Sequence, residues 1–237
     1  MTTLTTTYGP WGVVAGGSDG VGIAFAHAMA HQGMNVVLVA RRVPVLQAAA
    51  DAIIAEHHVE VRTVALDLSA PDAVSELAVA TADLEVGLFV YNAGGETSST
   101  PFLDKPIDTH LELIRRNCVS VLEAAHRFGG PMVERGRGAM VLVTSGAAWA
   151  GGATLAAYGA SKAFDLILAE ALWAEWHPNV DVLGLVLGKT DTPSMRQALD
   201  AKGQSYDDAA DPDDVAREAL EHLSDCLLYT SPSPRDS

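Results

Sequence analysis

Short β-branched apolar runs alternate along this chain with longer stretches in which apolar residues return at helical spacing. A run apolar at every position suits a strand covered on both faces. A helix after each strand suits a parallel sheet with helices above and below. The runs predict six strands, over residues 11–15, 36–40, 59–65, 86–91, 139–144 and 180–187. Helices are predicted over 20–31, 45–57, 72–81, 107–128, 158–176 and 212–223. Local chemistry supports two helix ends. Gly33 stands where a left-handed residue closes the first helix. Asp211 suits the cap of the last, with Pro212 in its first turn and Asp213 and Asp214 at its positive dipole end. The expected architecture is one α/β domain, a doubly wound parallel sheet in three α/β/α layers.

The 237 residues are 49% hydrophobic, enough for one sizeable core. Thirty acidic against 15 basic side chains give a formal charge of −15, which argues against nucleic acid as a partner, because binding its phosphates needs clustered Lys and Arg. Cys118 and Cys226 are too few for a disulfide framework or a Cys-rich metal centre, which favours a reducing compartment. The opening MTTLTTTYGPWG has neither a basic n-region nor a long apolar run, so a cytoplasmic protein without a membrane anchor is expected. The closing CLLYTSPSPRD reads like a translated sequencing-library adapter. The predicted domain therefore covers residues 1–225, with 226–237 foreign to it. The final strand of the sheet is expected to be missing, at a cost in stability.

The first strand runs into Gly16-Gly17-Ser18-Asp19-Gly20-Val21-Gly22, and a helix follows at once. Glycines in such a turn let the backbone approach a pyrophosphate, and the free N–H groups and dipole of the helix start favour its charge. Asp67-Leu68 follows the third strand and Asn92-Ala93-Gly94 the fourth. Ser145 ends the fifth, thirteen residues before Tyr158, and Tyr158 and Lys162 are four apart, hence on one helix face. A phenol with an ordinary pKa of about 10 is a poor acid-base at neutral pH until a neighbouring ammonium stabilises its phenolate.

Together these motifs resemble the short-chain dehydrogenase/reductase family. The glycine loop has its GxxxGxG spacing, with Ala15 in place of the usual threonine. NNAG is matched with Tyr91 for the first Asn, and PGxVxT with Leu187 for the proline. The resemblance covers about Tyr8 to Met195. In YGPWGVVAGGSDGVG, VVLVARR and YGASKAF it is strongest to the 17β-hydroxysteroid dehydrogenase and very-long-chain 3-oxoacyl-CoA reductase branch.

This resemblance implies a Rossmann-type fold and a catalytic set of Asn117, Ser145, Tyr158 and Lys162. Ser145 would steady the substrate oxygen and Tyr158 exchange a proton. Lys162 would also bind the nicotinamide ribose, and Asn117 would hold a water joining that lysine to solvent. Cofactor contacts are implied for Gly16, Ser18, Asp19, Gly20, Val21, Gly22, Asp67, Leu68, Asn92, Ala93, Gly94, Tyr158, Lys162, Gly188, Thr190 and Thr192. Where NAD enzymes of the family carry an acid, this chain has Ala40, followed by Arg41 and Arg42, whose guanidinium groups suit a 2′-phosphate. NADP(H) is therefore expected, with NAD(H) as the alternative. The implied substrate is a small-molecule ketone or secondary alcohol on an apolar surface that includes Ala147, Trp149, Leu155 and Met195, and the implied assembly is a homodimer or homotetramer.

Residues 193–210 fall where the family has a substrate lid. A non-catalytic NADP(H) sensor on the same fold is the second reading. His27 and His31, i,i+4 on one helix, read as a plain helix face without a metal, because no Glu or Cys completes a site.

Overall fold

The computed structural model describes residues 3–96, 98, 100–200, 203 and 205–230. Its strands are β1 (Trp11–Ala15), β2 (Asn35–Ala40), β3 (Val61–Ala65), β4 (Val86–Tyr91), β5 (Ala139–Ser145), β6 (Asp181–Leu187) and β7 (Leu227–Thr230). Their order is β3-β2-β1-β4-β5-β6-β7, and every neighbouring pair is parallel. The strand order reverses between β1 and β4, which opens a crevice at their C-terminal ends.

Successive strand residues face opposite sides of the sheet, and here both sides are apolar. Val14, Leu38, Leu88, Val141 and Leu183 turn to one side, where they meet α2 (Gly20–His31), α3 (Val43–His57) and α9 (Pro212–Glu221). Val13, Val37, Phe89, Met140 and Val182 turn to the other, covered by α4 (Ala73–Ala80), α6 (Ser120–Arg135) and α7 (Ala156–Trp176). A short α1 (Leu4–Thr7) precedes β1, α5 (Ile107–Ile114) leads into α6, and α8 (Pro193–Asp200) follows β6. The expected ends hold. Gly33 has φ +80°, and Asp211 accepts the Asp213 N–H at 2.9 Å. No helix among the described residues is long and apolar enough to cross a membrane.

Two expectations are corrected. The final strand is present: Leu227–Thr230 pairs in register with Gly184–Leu187 of β6, and the Gly184 N–H donates to the Cys226 carbonyl at 2.7 Å. LLYT has strand-forming chemistry, and the β6 edge offers it unpaired backbone groups, so the adapter-like sequence completes the sheet. Residues 231–237 lie outside the described residues. The second correction concerns the helix expected over 107–128. It passes through a π-helical turn (Arg115–Val119) and runs on to Arg135 despite Gly129, Gly130 and Pro131. Gly129 serves packing, because a Cβ there would stand 2.3 Å from the Trp176 ring.

Candidate active site

The turn after β1 depends on glycine. Gly16 has φ +82°, and a Cβ on it would stand 2.9 Å from the Ala93 amide nitrogen. The Gly16 and Gly17 N–H groups donate to the Val39 carbonyl at 2.8 and 3.1 Å. Asp19 caps α2 by accepting the Gly20 N–H at 2.8 Å. From the β4 side, the Asn92 and Ala93 N–H groups donate to the Ala15 carbonyl at 2.9 Å, and Asn92 Nδ2 donates to the Gly16 carbonyl at 3.1 Å. These bonds brace the loop without any hydroxyl at position 15. Glycine at 16 thus lets the turn lie against Ala93, and Gly16, Ser18, Asp19, Gly20 and Val21 form a cradle in front of the α2 N-terminus.

Arg41 and Arg42 follow β2 at the far end of the crevice. The Arg41 guanidinium lies 3.9 Å from Asp67 and that of Arg42 lies 3.6 Å from Asp19, with the two arginines 68% and 64% exposed. Burial pushes the Asp67 carboxyl up, but hydrogen bonds from Ser69 and the Arg41 charge outweigh it and hold the group below the usual carboxylate value.

At the other end, β5 delivers Ser145, and the first turns of α7 deliver Tyr158 and Lys162 on one face. Ser145 and Tyr158 are half-buried, whereas Lys162 is almost fully buried. The Lys162 Nζ donates to the Val143 carbonyl and to Asp165 Oδ2, each at 2.9 Å. Thr144 Oγ1 donates to the Lys162 carbonyl at 2.6 Å, which ties α7 to β5.

Asn117 sits on the π-helical turn, where the Ser120 N–H reaches back to the Arg115 carbonyl. The Arg116 carbonyl instead accepts the Tyr91 hydroxyl at 2.7 Å. Burial holds the Tyr91 phenol well above its ordinary value, so it remains an O–H donor, and the unusual tyrosine at the end of β4 braces the turn that presents Asn117. Asn117 Nδ2 donates to the Gly94 carbonyl at 3.1 Å and to the Ser161 hydroxyl at 3.0 Å. Gly94 has φ +140°, and a Cβ on it would stand 2.8 Å from Asn117 Oδ1 and 3.1 Å from Lys162 Nζ. Only glycine lets these three positions close together.

A single cleft of about 400 Å³ joins the two ends. Gly16, Ser18, Asp19, Gly20, Val21, Arg41, Arg42, Asp67, Leu68, Asn92, Ala93, Gly94, Ser145, Tyr158, Lys162, Gly188, Thr190 and Thr192 all line it. Two expected residues do not. Gly22 lies behind the loop, where a Cβ would stand 2.0 Å from the Gly16 carbonyl oxygen, so its part is close packing of α2 on the turn. Asn117 has no exposed surface and supports the wall from behind. Met195, at the start of α8, lines the cleft, whereas Trp149 projects to solvent and Ala147 and Leu155 lie off the wall.

Asp165 escaped the sequence reading. It is 2% exposed, one oxygen pairs with Lys162, and the other has no hydrogen-bond partner among the described residues. Burial pushes its carboxyl up to about 6, against the pull of Lys162. The available signal was a carboxylate three residues after the lysine, beside Leu166 on the buried side of α7. Arg116, which also lines the cleft, was missed as well.

The chain is similar to known proteins. A family model described as short chain dehydrogenase matches residues 11–203. A 7beta-hydroxysteroid dehydrogenase of Mediterraneibacter gnavus is 33% identical over 97% of this chain and 88% of its own length. A very-long-chain 3-oxoacyl-CoA reductase of Aspergillus clavatus, of the branch the motifs suggested, is 33% identical over 79% of this chain and 55% of its own length. A solved structure from work on 7beta-hydroxysteroid dehydrogenase stereoselectivity superposes with a TM-score of 0.90 at 33% identity, covering 98% of this chain and 91% of the other. A short-chain dehydrogenase from Sphingobium yanoikuyae, in complex with NADPH, gives 0.83 at 26% identity over 96% and 89%. With a family match over most of its length, the glycine turn and the Ser-Tyr-Lys wall on one sheet, the chain belongs to the short-chain dehydrogenase family.

Proposed function

We propose that this protein is an NADP(H)-dependent oxidoreductase that interconverts a ketone and a secondary alcohol. One observation carries the reading: a single cleft is lined at one end by the glycine cradle and two arginines, and at the other by Ser145, Tyr158 and Lys162. The cradle at Gly16 and the α2 N-terminus fit a pyrophosphate, and the exposed guanidinium groups of Arg41 and Arg42 fit an adenosine 2′-phosphate. A nicotinamide dinucleotide held there supplies or accepts the hydride.

The protein's own residues handle the proton and the charge. In the reductive direction the carbonyl carbon gains the hydride, and its oxygen gains the Tyr158 hydroxyl proton while accepting a hydrogen bond from Ser145. The Lys162 ammonium, fixed one turn from Tyr158, stabilises the phenolate left behind. Asn117 bridges the Gly94 carbonyl to Ser161, the residue before Lys162, and so ties the chain after β4 to α7. Val143, Leu187 and Met195 give the cleft its apolar lining. Relatives named as a hydroxysteroid dehydrogenase and a 3-oxoacyl-CoA reductase support bulky alicyclic ketones and 3-oxoacyl thioesters as the first substrate classes. Exposed apolar side chains on α5 and α6 (Leu111, Leu122) and on α7 (Ile167) support pairing of two copies through these helices.

The test is a panel of those ketones and thioesters followed at the nicotinamide absorbance, with NADPH and NADH side by side. Turnover with NADPH preferred supports the reading. NADP(H) binding without turnover on any member would favour the sensor on this fold instead.

A further inference from the structure

Where α2 meets the end of α3, away from the cleft, three donor atoms converge. His27 Nδ1 lies 3.0 Å from His57 Nε2 and 3.2 Å from Glu56 Oε2, and that same oxygen lies 3.7 Å from His57 Nε2. His27 and Glu56 come from different helices, so the carboxylate that the α2 sequence lacked is brought in by the fold. The His57 side chain is 9% exposed and that of Glu56 63%, which closes the cluster on one side and opens it to water on the other.

Donors on one tetrahedral ion at about 2.0–2.1 Å stand roughly 3.3–3.4 Å apart, and the three separations here straddle that edge. One hydrogen shared between the two imidazoles accounts for the shortest separation but not for a carboxylate oxygen drawn towards both rings. We propose that His27, Glu56 and His57 form a binding site for a divalent transition-metal ion, zinc foremost, with water as the fourth ligand. Two imidazoles and a carboxylate without thiolate suit zinc and its neighbours better than calcium or magnesium. Both imidazoles bind as neutral rings, His27 with its hydrogen on Nε2 and His57 with its hydrogen on Nδ1, so the change needed is tautomeric. The ion would staple together two helices that both begin at the cleft, α2 behind the glycine turn and α3 at its N-cap Arg42.

The test uses the full chain without an affinity tag, titrated with Co²⁺ and then with Zn²⁺. One Co²⁺ per chain is expected, with the intense visible absorption of a four-coordinate site. One equivalent of Zn²⁺ should displace it, and Zn²⁺ should raise the melting temperature. His57→Ala and the milder His27→Gln should weaken Zn²⁺ by more than the roughly 10–100-fold that an outer-shell partner is worth, whereas His126→Ala, exposed on α6, should leave it unchanged. Circular dichroism establishes that each variant is folded. A weak six-coordinate cobalt spectrum, or folded His57→Ala and His27→Gln proteins that bind Zn²⁺ as tightly as the parent, would overturn the assignment.

Discussion

At the β5–α7 end of the cleft, Asn117, Thr144, Ser161, Lys162 and Asp165 are each no more than 3% exposed and are joined by hydrogen bonds of 2.6–3.1 Å. At the β2 end, Arg41 and Arg42 are about two-thirds exposed and face their nearest carboxylates across 3.9 and 3.6 Å. The first region is held by the protein's own buried contacts, which suits electrostatic assistance to a reacting group. The second holds its charges loosely. Exposed pairs of this kind contribute about 0–1 kcal/mol, so a dianionic phosphate recruits the guanidinium groups with little lost. The proposed function thus puts chemistry on the rigid end and cofactor choice on the adaptable one.

The largest effect should come from breaking the rigid end. Lys162→Met leaves Asp165 buried without its counter-charge, and we expect a loss of about 3–5 kcal/mol in urea unfolding. Adding Asp165→Leu should recover most of it. A Lys162→Met protein as stable as its parent would refute the rigid-end description.

Next comes pH. The Asp165 carboxyl, ordinarily at 3.8, stands at about 6 in the folded protein because burial outweighs Lys162. Between those values the folded state binds more protons than the unfolded one, so this group lowers stability as pH rises through the window. Asp165→Asn should remove that slope from a series of melts, and equal slopes would count against the assignment.

At the adaptable end, Arg41→Ala with Arg42→Ala should raise the KM for NADPH roughly 10–100-fold, the worth of about one charged hydrogen bond, while leaving NADH nearly unchanged. Equal losses with both cofactors would dissolve the contrast. The smallest effect is expected from Tyr91→Phe, which frees the Arg116 carbonyl and should cost about 1 kcal/mol, with a drop in kcat rather than a rise in KM. A change confined to KM would separate Tyr91 from the Asn117 turn.

What was legible in the sequence follows the range of the forces involved. The glycine turn and Tyr158-x-x-x-Lys162 are set by local geometry, a positive φ and one helical turn, and their spacing survives in the sequence. The π-helical turn at Asn117 depends on Tyr91, a residue distant in the chain, and leaves no periodic mark. Asp165 looked like an ordinary polar helix residue until burial beside Lys162 gave it meaning. His27 was visible, but its partners Glu56 and His57 arrive from the next helix. The strand at Leu227–Thr230 was hidden by the adapter-like character of its sequence, which says nothing of how four β-prone residues behave beside an open edge.

The central claim is that one cleft brings a hydride carrier and the Tyr158 proton to the same carbonyl. Its most direct test is Tyr158→Phe, assayed for NADPH binding by fluorescence and for ketone reduction by absorbance. The account predicts binding within a few-fold of the parent and turnover reduced by at least the roughly 10²–10⁴-fold that a positioned acid-base contributes. Undiminished reduction by the variant would contradict it.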